Sequence, residues 1–381
     1  MKARSIRVNS VEEVKAFLAK ESGEGFKPTL AFVFISIAQD IDGVRQVLDQ
    51  AGVSIFGATS SGEFIDGELG AGSIAMLLLD LDRTYFHLML EDYEGRDMGG
   101  LAEEMATAAV SRYEHPAFIL SCSFDVIQSS ADMGEDMLRA IEKVAGSDSP
   151  IWGGRAGDDF RFQKSVVFNG ERSTTSGILL LVLDGDRVDV KGQSVSGQKA
   201  IGIEKVITKA VNNWVFEIDH QPAADVVMKF LGLQLTQEQA ETFNPADIVF
   251  SLIRDKGEPV LRGVGVFNWM ERSFSILGRI REGDKVKMTL PPDFEVMEEE
   301  TRDAERIRDT VIPDPDALLV FNCMGRLGLF GPMAGDEVEN LRNVFGVPMA
   351  GFFTYGEFGR AEGGDNEFHN NTCCWVALKE K

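Results

Sequence analysis

Two glycine-rich segments place a glutamate at the same spacing after a hydroxyl-bearing residue. The first runs from Gly57 to Phe64 and reads GATSSGEF, and the second runs from Gly351 to Phe358 and reads GFFTYGEF. Glycine permits positive φ angles and a close approach of the backbone to a ligand. Exposed backbone N–H groups in such a turn can also hold an anion. The pattern therefore indicates either a ligand-binding rim or two tight turns whose acids cap the next element.

A third segment keeps the glycines but carries different charges. It runs from Gly153 to Asp159, reads GGRAGDD, and places Arg155 between glycines with Asp158 after them. A guanidinium can hold a carboxylate through two parallel hydrogen bonds. An arginine beside paired acids fits an internal salt bridge equally well, so both interpretations stay open.

The C-terminal part of the chain adds polar groups at strand ends. Cys323 and Arg326 follow an apolar strand, and His369 and Asn370 precede the terminal strand. Convergence of these groups on the glycine turns would suit a zwitterion, with guanidinium on carboxylate and carboxylate on ammonium. The candidate ligand-binding residues are Thr59, Ser60, Glu63, Arg155, Asp158, Cys323, Arg326, Thr354, Tyr355, Glu357, His369 and Asn370.

The spacing of residues in the sequence supports catalysis and metal binding less well than it supports ligand binding. The turn at Gly57 lacks the G-x-S-x-G spacing of a nucleophile elbow, and the chain has neither a three-glycine dinucleotide motif nor a Walker A sequence. Cys323 near Arg326 is either a thiol with a lowered pKa or a buried small hydrophobe. The four histidines show no metal-ligand spacing, so no metal and no catalytic residue is predicted, although a single histidine is able to ligate haem iron.

The elements that must position these turns recur three times. Each copy is an apolar strand, a helix with one apolar face, a second strand and then the glycine turn. Near-continuous apolar strands are typical of sheets covered on both faces, and strand–helix–strand units pair in parallel. The sequence therefore predicts a mixed α/β fold whose glycine turns lie at sheet edges around a common cavity. The predicted copies span 30–64, 117–159 and 317–358.

Two hairpins and one domain boundary are also predicted. Apolar runs on either side of polar turns at 80–82 and 184–186 indicate hairpins over 73–90 and 178–191. Related patterns in the two parts of the chain predict two halves joined near 192–222, a segment that begins with the linker-like 192–197. We therefore expect an N-terminal domain over 1–200, with two of the repeated units, and a C-terminal domain over 201–381.

The bulk composition excludes several classes of protein. The 381 residues carry 38 Lys and Arg against 61 Asp and Glu, a formal net charge of -23, which repels nucleic acids and anionic membrane surfaces. No apolar run approaches the roughly 18 residues that span a bilayer, and the N-terminus lacks the apolar core of a signal peptide. Four cysteines make neither a disulfide framework nor a CxxC zinc site. We expect a soluble protein of the reducing cytoplasm that binds neither nucleic acid nor membrane.

In their order and spacing, these motifs resemble the FIST family. The resemblance covers about residues 28 to 378, nearly the whole chain. The segments that carry it are 57–63, similar to the family's Gly-x-Ser-[ST]-x-Gly-Glu turn, 153–158, similar to its Gly-Gly-x-Ala-Gly-Asp turn, and the C-terminal motifs 323–326, 351–357 and 369–372.

The resemblance implies a sensory module with paired N-terminal and C-terminal domains that binds a small ligand. Amino acids or their derivatives are the leading suggestion for that ligand. Because the two domains fill the chain, the resemblance also implies a separate signalling partner, such as a histidine kinase. Some members are described as haem-containing nitric oxide sensors that regulate a histidine kinase, so a haem-binding gas sensor is the first alternative. An enzyme that uses Cys323 and Arg326 is the second.

Overall fold

Three six-stranded mixed sheets form the centre of the molecule, and a seven-stranded sheet is inserted between the strands of the third. The computed structural model describes residues 1–124, 133–245, 248–292 and 295–381. Helices pack against the outer faces of the three mixed sheets, and the predicted mixed α/β class is confirmed. Within the described ranges, the structure contains no helix with both the length and the apolar composition needed to cross a membrane.

The first unit is built on a parallel pair of largely buried strands. Its elements are β1 (Ala3–Val8), α1 (Val11–Gly23), β2 (Leu30–Ile35), α2 (Ile41–Gln50), β3 (Ser54–Thr59), β4 (Glu63–Ile65), β5 (Glu68–Gly70) and β6 (Ile74–Leu79). β2 and β3 pair in parallel, with Val33 opposite Gly57. Asp40 is the N-cap of the helix between them, α2, and its carboxylate accepts a hydrogen bond from Gly43 N (2.9 Å) in the first turn.

The second unit repeats this order of elements. They are β7 (Phe86–Asp92), α3 (Met98–Arg112), β8 (Pro116–Cys122), α4 (Met133–Ala145), β9 (Ile151–Gly154), β10 (Val167–Phe168), β11 (Ser173–Thr174) and β12 (Gly177–Asp184). β8 is buried at every position and pairs in parallel with β9, which places Leu120 opposite Gly153. Asp97 is the N-cap of α3, and its carboxylate accepts a hydrogen bond from Gly100 N (2.6 Å). α3 packs along α4.

The third unit opens with β13 (Val188–Val195) and is then interrupted by the inserted sheet. The insert contains β14 (Lys199–Val211), β15 (Trp214–Ile218), β16 (Gln221–Pro222), α5 (Ala223–Leu231), α6 (Gln237–Glu241), β17 (Val249–Leu252), β18 (Val260–Asn268), β19 (Ser273–Ile276) and β20 (Lys285–Leu290). β14 pairs first with β20 and then with β15. Six antiparallel strands thereby close around a core that includes Ile207, Phe250 and Phe274.

After the insert, the third unit resumes and follows the same plan as the first two. Its remaining elements are α7 (Glu295–Thr310), β21 (Ala317–Cys323), α8 (Met324–Phe330), a 3-10 turn (Gly331–Met333), α9 (Ala334–Phe345), β22 (Met349–Thr354), β23 (Glu357–Gly359), β24 (Glu367–His369) and β25 (Cys373–Glu380). β21 and β22 pair in parallel, with Val320 opposite Gly351. The predicted repeat of strand, helix, strand and glycine turn is therefore present in all three units.

The short hairpin after each glycine turn leaves its own unit and completes the sheet of another. β4 and β5 join β22 of the third unit, β10 and β11 join β3 of the first, and β23 and β24 join β9 of the second. The exchange is cyclic, and each six-stranded sheet takes its last two strands from a neighbouring unit. The three units consequently form one continuous structure.

Each exchanged hairpin brings a phenylalanine opposite a glycine. The pairs are Phe168 with Gly57, Phe64 with Gly351, and Phe358 with Gly153. A Cβ on Gly57 or on Gly351 would overlap the facing ring. Close packing between the units therefore requires glycine at these two strand positions.

The inner faces of the three sheets meet in one central core. Phe34 of β2 stacks on Phe352 of β22, with ring centroids 4.6 Å apart, and contacts Phe321 of β21 edge-on at 6.1 Å. Ile119 of β8 joins the same cluster from the second sheet. Side chains that alternate with these residues face the helices on the outside. Both faces of the central strands are covered, which explains why they are apolar at nearly every position.

The two predicted hairpins, 73–90 and 178–191, are wrong. β6 pairs with β1 and β2, whereas β7 pairs with β12 in another sheet. In the same way, β12 pairs with β7 and β8, whereas β13 pairs with β25. Each acidic turn carries the chain from one unit into the next. Two apolar runs around a polar turn have the same local pattern whether their strands pair or separate.

The linker-like segment 192–197 is mostly strand. β13 continues to Val195 and pairs with β25 along its whole length. Gly192 lies so close to Trp375 O that a Cβ there would overlap it, so this glycine serves close packing. The insert begins at Lys199, beside the predicted domain boundary, yet strands from both sides of that boundary share one sheet. The division into domains 1–200 and 201–381 stays a prediction.

We expect Gly351→Ala to lower the free energy of unfolding by about 1–3 kcal/mol, because the added methyl overpacks the contact with Phe64 and with Val320 O. Gly328→Ala is the matched control, since Gly328 lies in α8 with open space around it. Alanine there should leave stability unchanged or raise it by up to about 1 kcal/mol. Urea unfolding followed by circular dichroism measures both, and equal effects would contradict the packing argument.

Candidate functional site

The three glycine turns meet, and they bond directly to one another. Three backbone hydrogen bonds close the ring: Ser61 N to Phe353 O (3.0 Å), Arg155 N to Gly356 O (2.8 Å) and Gly157 N to Thr59 O (2.8 Å). The hydroxyl of Thr59 also donates to Gly157 O (2.6 Å) and accepts from Val166 N (2.8 Å). The turns converge as the sequence predicts, but these N–H groups join the units rather than line an open cavity.

Glu63 is buried at this junction and is bound by its own unit. Ser60 Oγ donates to one carboxylate oxygen, and Ser73 donates to the other through its backbone N (3.0 Å) and its Oγ (2.8 Å). Burial raises the pKa of Glu63, and the three hydrogen bonds oppose that rise only in part. Ser60 and Glu63, both predicted to contact a ligand, therefore contact each other.

Glu357 has the same arrangement in the third unit. Thr354 Oγ1 donates to one oxygen, and Thr372 Oγ1 donates to the other (2.8 Å). Burial raises the pKa of Glu357 to about 7, against the hydrogen bonds from Thr354, Thr372 and Cys323. Thr354 and Glu357, both predicted to contact a ligand, therefore contact each other.

The second unit departs from this pattern. By position in the turn, Ala156 stands where the other units have Ser60 and Thr354. By strand register, Val167 stands where they have Glu63 and Glu357, since each of these residues precedes the phenylalanine that faces a glycine. The hydroxyl–carboxyl pair is replaced by two apolar residues, and the second turn instead carries Arg155.

Arg155 is a buried cation with incomplete pairing. Its side chain is 7% exposed, and its guanidinium carbon lies 5.3 Å from the ring centroid of Phe368 and 5.9 Å from that of Phe124. Within the described part of the chain, its Nε and Nη2 have no hydrogen-bond partner. These two atoms form one edge of the planar guanidinium, the edge that binds a carboxylate through two parallel hydrogen bonds.

Asp158 does not pair with Arg155 and instead fixes the loop that follows it. Its carboxylate accepts hydrogen bonds from Phe162 N (2.9 Å), Gln163 N (2.7 Å) and Lys164 N (2.8 Å), and from the hydroxyl of Tyr355. Burial and the bond to Asp158 raise the pKa of Tyr355, which therefore stays a phenol. The predicted residues Asp158 and Tyr355 thus form one structural pair beside the turn.

The loop held by Asp158 exposes aromatic side chains next to Arg155. Phe160 and Phe162 are 46% and 48% exposed, and both have positive φ angles, of 62° and 51°. The ring of Phe162 stacks on Tyr355 at 4.7 Å, and Tyr355 meets Phe124 edge-on at 5.8 Å. A row of aromatic rings therefore leads from the surface to the buried guanidinium, along a backbone that stores strain.

Sequence reasoning missed these aromatic neighbours of Arg155. Phe124 and Phe368 lie far from it in the chain. Phe124 follows β8 and Phe368 lies on β24, and the pairing of β8 with β9, of β9 with β23 and of β23 with β24 brings them to the turn of Arg155. Phe160 and Phe162 follow the second glycine turn directly. Two phenylalanines just after a Gly-Asp-Asp turn were the available signal.

Arg326, also predicted as a ligand contact, has the opposite environment, because other residues of the fold use its guanidinium. Its guanidinium donates to Glu337 (3.2 Å from Nε), Glu300 (2.8 Å), Ser196 O (2.8 Å) and Asn371 O (3.1 Å), with a second bond to Glu337. All five N–H groups are used. The adjacent cavity measures about 10 Å³, room for no more than one water molecule.

Cys323 is buried and hydrogen-bonded inside the same unit. Burial, followed by the nearby charge of Glu357, raises the pKa of its thiol well above the ordinary value of 9.0. A nucleophilic cysteine needs a lowered pKa, so this environment argues against the enzymatic alternative built on Cys323 and Arg326.

His369 and Asn370 face the inserted sheet and not the ring of turns. Nε2 of His369 lies 3.3 Å from Gly359 O. Burial lowers the pKa of His369 to about 4, which keeps the imidazole neutral. Asn370 Oδ1 accepts from Gly263 N of β18 at 3.4 Å. The structure therefore separates these two candidates from Arg155.

The environments of His115, His220 and His369 bear on the haem alternative, which stays a prediction. His115 and His220 are exposed, and His115 lies 3.1 Å from Asp186. His369 lines a cavity of about 260 Å³ whose other walls include Arg254, Asp255 and Glu258. That cavity is charged and lies below the roughly 300–1,000 Å³ of ordinary ligand pockets. The described residues also contain no group of three or more His, Cys, Asp or Glu side chains placed to hold a metal ion.

We expect Arg326→Ala to lower the free energy of unfolding by about 3–5 kcal/mol, because it leaves Glu300 and Glu337 buried without their cation. Arg306→Ala removes an exposed arginine that pairs with Asp303 and Glu362, and it should cost about 0–1 kcal/mol. Urea unfolding compares the two, and a mild Arg326 variant would restore that residue as a ligand-binding candidate.

Glu357→Gln is expected to change the pH dependence of stability. The folded-state pKa, about 7, lies above the ordinary value of 4.5, so the folded state holds a proton that the unfolded state has lost. The contribution of the Glu357 carboxyl group to the free energy of unfolding is therefore fully present below pH 4.5 and is lost as the pH rises through 7. The neutral glutamine removes that loss, and the stability of the variant relative to the unchanged protein should rise by up to about 3 kcal/mol between pH 4.5 and pH 8.

Urea unfolding at a series of pH values measures this difference. The exposed Glu94 supplies the control, since Glu94→Gln should give a stability difference that does not vary over the same range. A flat profile for Glu357→Gln would show that the carboxyl is ionised throughout.

Family comparison covers almost the whole chain. The FIST N domain matches residues 29–221, which include the first unit from β2 onward, the whole second unit, β13 and the start of the insert. The FIST C domain matches residues 223–360, which include the rest of the insert and most of the third unit. No curated protein matches the chain. The chain belongs to the FIST family, whose domains are associated with sensory signal transduction and small-ligand binding.

Proposed function

We propose that this protein is a sensor that binds a small carboxylate, an amino acid or a close derivative, through Arg155. One observation carries the proposal: the guanidinium is buried, and one bidentate edge of it has no hydrogen-bond partner in the described part of the chain. Family membership supports the sensory class. The carboxylate, the binding residue and the signalling route are our inference.

The energetics of the unpaired guanidinium support a bound anion. A buried charge without a partner costs several kcal/mol, because the interior replaces its hydration poorly. Phe368 and Phe124 offer only weak cation–π contacts. A carboxylate placed on Nε and Nη2 would form two charge-assisted hydrogen bonds and supply the missing charge.

The surroundings of Arg155 suit the rest of such a ligand. Tyr355, Phe162 and Phe124 form a continuous aromatic surface beside it, which would contact an apolar side chain. The loop that carries Phe162 is strained and is held to Tyr355 through Asp158. Ligand entry along this surface would shift the loop, and we infer that a separate signalling protein, such as a histidine kinase, detects that change.

The competing functions have less support. Haem has the weaker case because His115 and His220 are exposed and His369 lines a small charged cavity. The raised thiol pKa of Cys323 does not suit a nucleophile. The cytoplasmic location predicted from composition is kept in this proposal. All four cysteines are buried and unbridged, as suits a reducing compartment.

The proposal predicts that isothermal titration with a panel of amino acids detects at least one micromolar ligand, and that Arg155→Met abolishes its binding. Arg161→Met is the matched control, because Arg161 lies in the neighbouring loop and is exposed. The Arg155 variant should also be as stable as the unchanged protein, or more stable by about 1–3 kcal/mol, since it removes buried unsatisfied N–H groups. Unchanged ligand affinity in Arg155→Met, or a panel without any binder, would refute the proposal.

A further inference from the structure

A charged groove lies between the inserted sheet and the second unit, away from the ring of turns. Its cavity of about 250 Å³ is lined by four arginines: Arg139 from α4, Arg254 from the loop after β17, and Arg279 and Arg281 from the loop after β19. The three acids on its wall are Glu135, Asp284 and Glu367. In a chain of net charge -23, such a concentration of guanidinium groups calls for a ligand or a structural reason.

Internal ion pairs account for part of the cluster. Glu367 holds Arg254 at 2.7 Å and Arg139 at 3.0 Å, and Arg139 also pairs with Glu142. Burial would raise the pKa of Glu367, but the arginines, Arg254 first, outweigh it and keep the carboxylate ionised. Arg279 pairs with Asp136.

Donors remain after these pairs are formed. Arg254 donates to Glu367 through Nε and Nη2. The N–H groups on its Nη1 therefore remain for a further acceptor. The backbone N of Arg281 donates a hydrogen bond to the carboxylate of Asp284 (2.7 Å). The exposed guanidinium of Arg281 has no partner within the described ranges. Guanidinium groups with spare N–H donors are suited to a tetrahedral oxyanion, which accepts several hydrogen bonds at once.

Glu135 adds an acceptor that selects among such anions. Its side chain is buried, lines the cavity, and takes hydrogen bonds on Oε1 from Arg262 (2.6 Å) and Arg279 N (3.0 Å). Its Oε2 has no partner in the described residues. A buried carboxylate oxygen left in this state is satisfied by a ligand that brings a donor. An anion that also carries an O–H group meets both requirements of the groove.

We propose that this groove is a phosphate site, in which the arginines bind the anionic oxygens and Glu135 accepts a hydrogen bond from a P–O–H group. Inorganic phosphate keeps an O–H group at neutral and mildly alkaline pH. Sulfate has none, and a phosphate monoester loses its own above a pKa of about 6. The groove therefore prefers inorganic phosphate to sulfate, and it binds a monoester only while that ester is protonated. This site is separate from the one proposed at Arg155.

Isothermal titration of the full chain at low ionic strength tests this site with inorganic phosphate, sulfate and methyl phosphate as probes. We expect phosphate to bind at least about tenfold more tightly than sulfate, which corresponds to one charge-assisted hydrogen bond. Methyl phosphate should bind at pH 5.5 and weaken by at least about tenfold at pH 8. Retained methyl phosphate binding at pH 8 would assign the site to phosphate esters generally and overturn the role of Glu135.

Two variants and a control identify the residues. Arg281→Gln should weaken phosphate binding by about tenfold, and it removes an exposed side chain whose loss the fold tolerates. Glu135→Gln should reduce the preference for phosphate over sulfate, since an amide can donate to either ion; because Glu135 pairs with buried Arg262, circular dichroism checks its folding. Should that variant unfold, the phosphate-to-sulfate ratio of the unchanged protein still decides the role of Glu135.

The control is Arg302→Gln, on the exposed side of α7, which makes the same change in net charge. It should bind phosphate as the unchanged protein does. If Arg281→Gln and Arg302→Gln weaken phosphate binding equally, the effect comes from net charge alone, which would contradict a specific role of Arg281. Equal affinity for phosphate and sulfate, or no detectable binding of either, would overturn the proposal.

Discussion

The fold depends on a contact between units in which one supplies a glycine and the next supplies a phenylalanine. Phe64 fills the space above Gly351, and Phe168 fills the space above Gly57. Because these phenylalanines lie on hairpins that have left their own unit, each sheet is completed by a neighbour. A larger residue at either glycine would push the exchanged strand away and expose the shared core. The sheets that contain Gly57 and Gly351 can close only because these two positions carry no side chain.

The same exchange explains the chemistry of the turns. A chain that crosses from one sheet to another must bury polar backbone at the crossing, and buried polar groups need partners. In two units, Glu63 and Glu357 meet that need by accepting hydrogen bonds from the backbone N and the hydroxyl of Ser73 and of Thr372, respectively, each just before the next strand of the central sheet. In the second unit, Val167 and Ala156 take those positions, and Arg155 enters the interior. The proposed binding residue therefore lies where one unit departs from the repeated motif.

Two buried arginines show how far environment decides the role of a side chain. Arg326 and Arg155 both stand close to glycines in the sequence. In the folded chain, Glu300 and Glu337 surround Arg326 and use its donors, whereas aromatic rings surround Arg155. The first arrangement stabilises the fold, and the second leaves hydrogen-bonding capacity for an anion. The phosphate proposal for the groove beside the insert follows the same reasoning, since it rests on donors of Arg254 and Arg281 and on Glu135 Oε2, which have no partner among the described residues.

The sequence by itself determined the class of the fold, the three repeated units and the positions of their glycine turns, because apolar periodicity and turn composition are local properties. It also identified Arg155 among its candidates. It did not distinguish strands that pair around a turn from strands that separate there, so it predicts one hairpin within 73–90 and another within 178–191. Tertiary structure alone decided that Glu63 and Glu357 are bound internally, that Arg326 is neutralised, and that four arginines from distant segments share one groove. Those outcomes depend on which units exchange strands and which groups become buried together. Local spacing does not encode either, since burial and pairing arise from contacts between residues far apart in the chain.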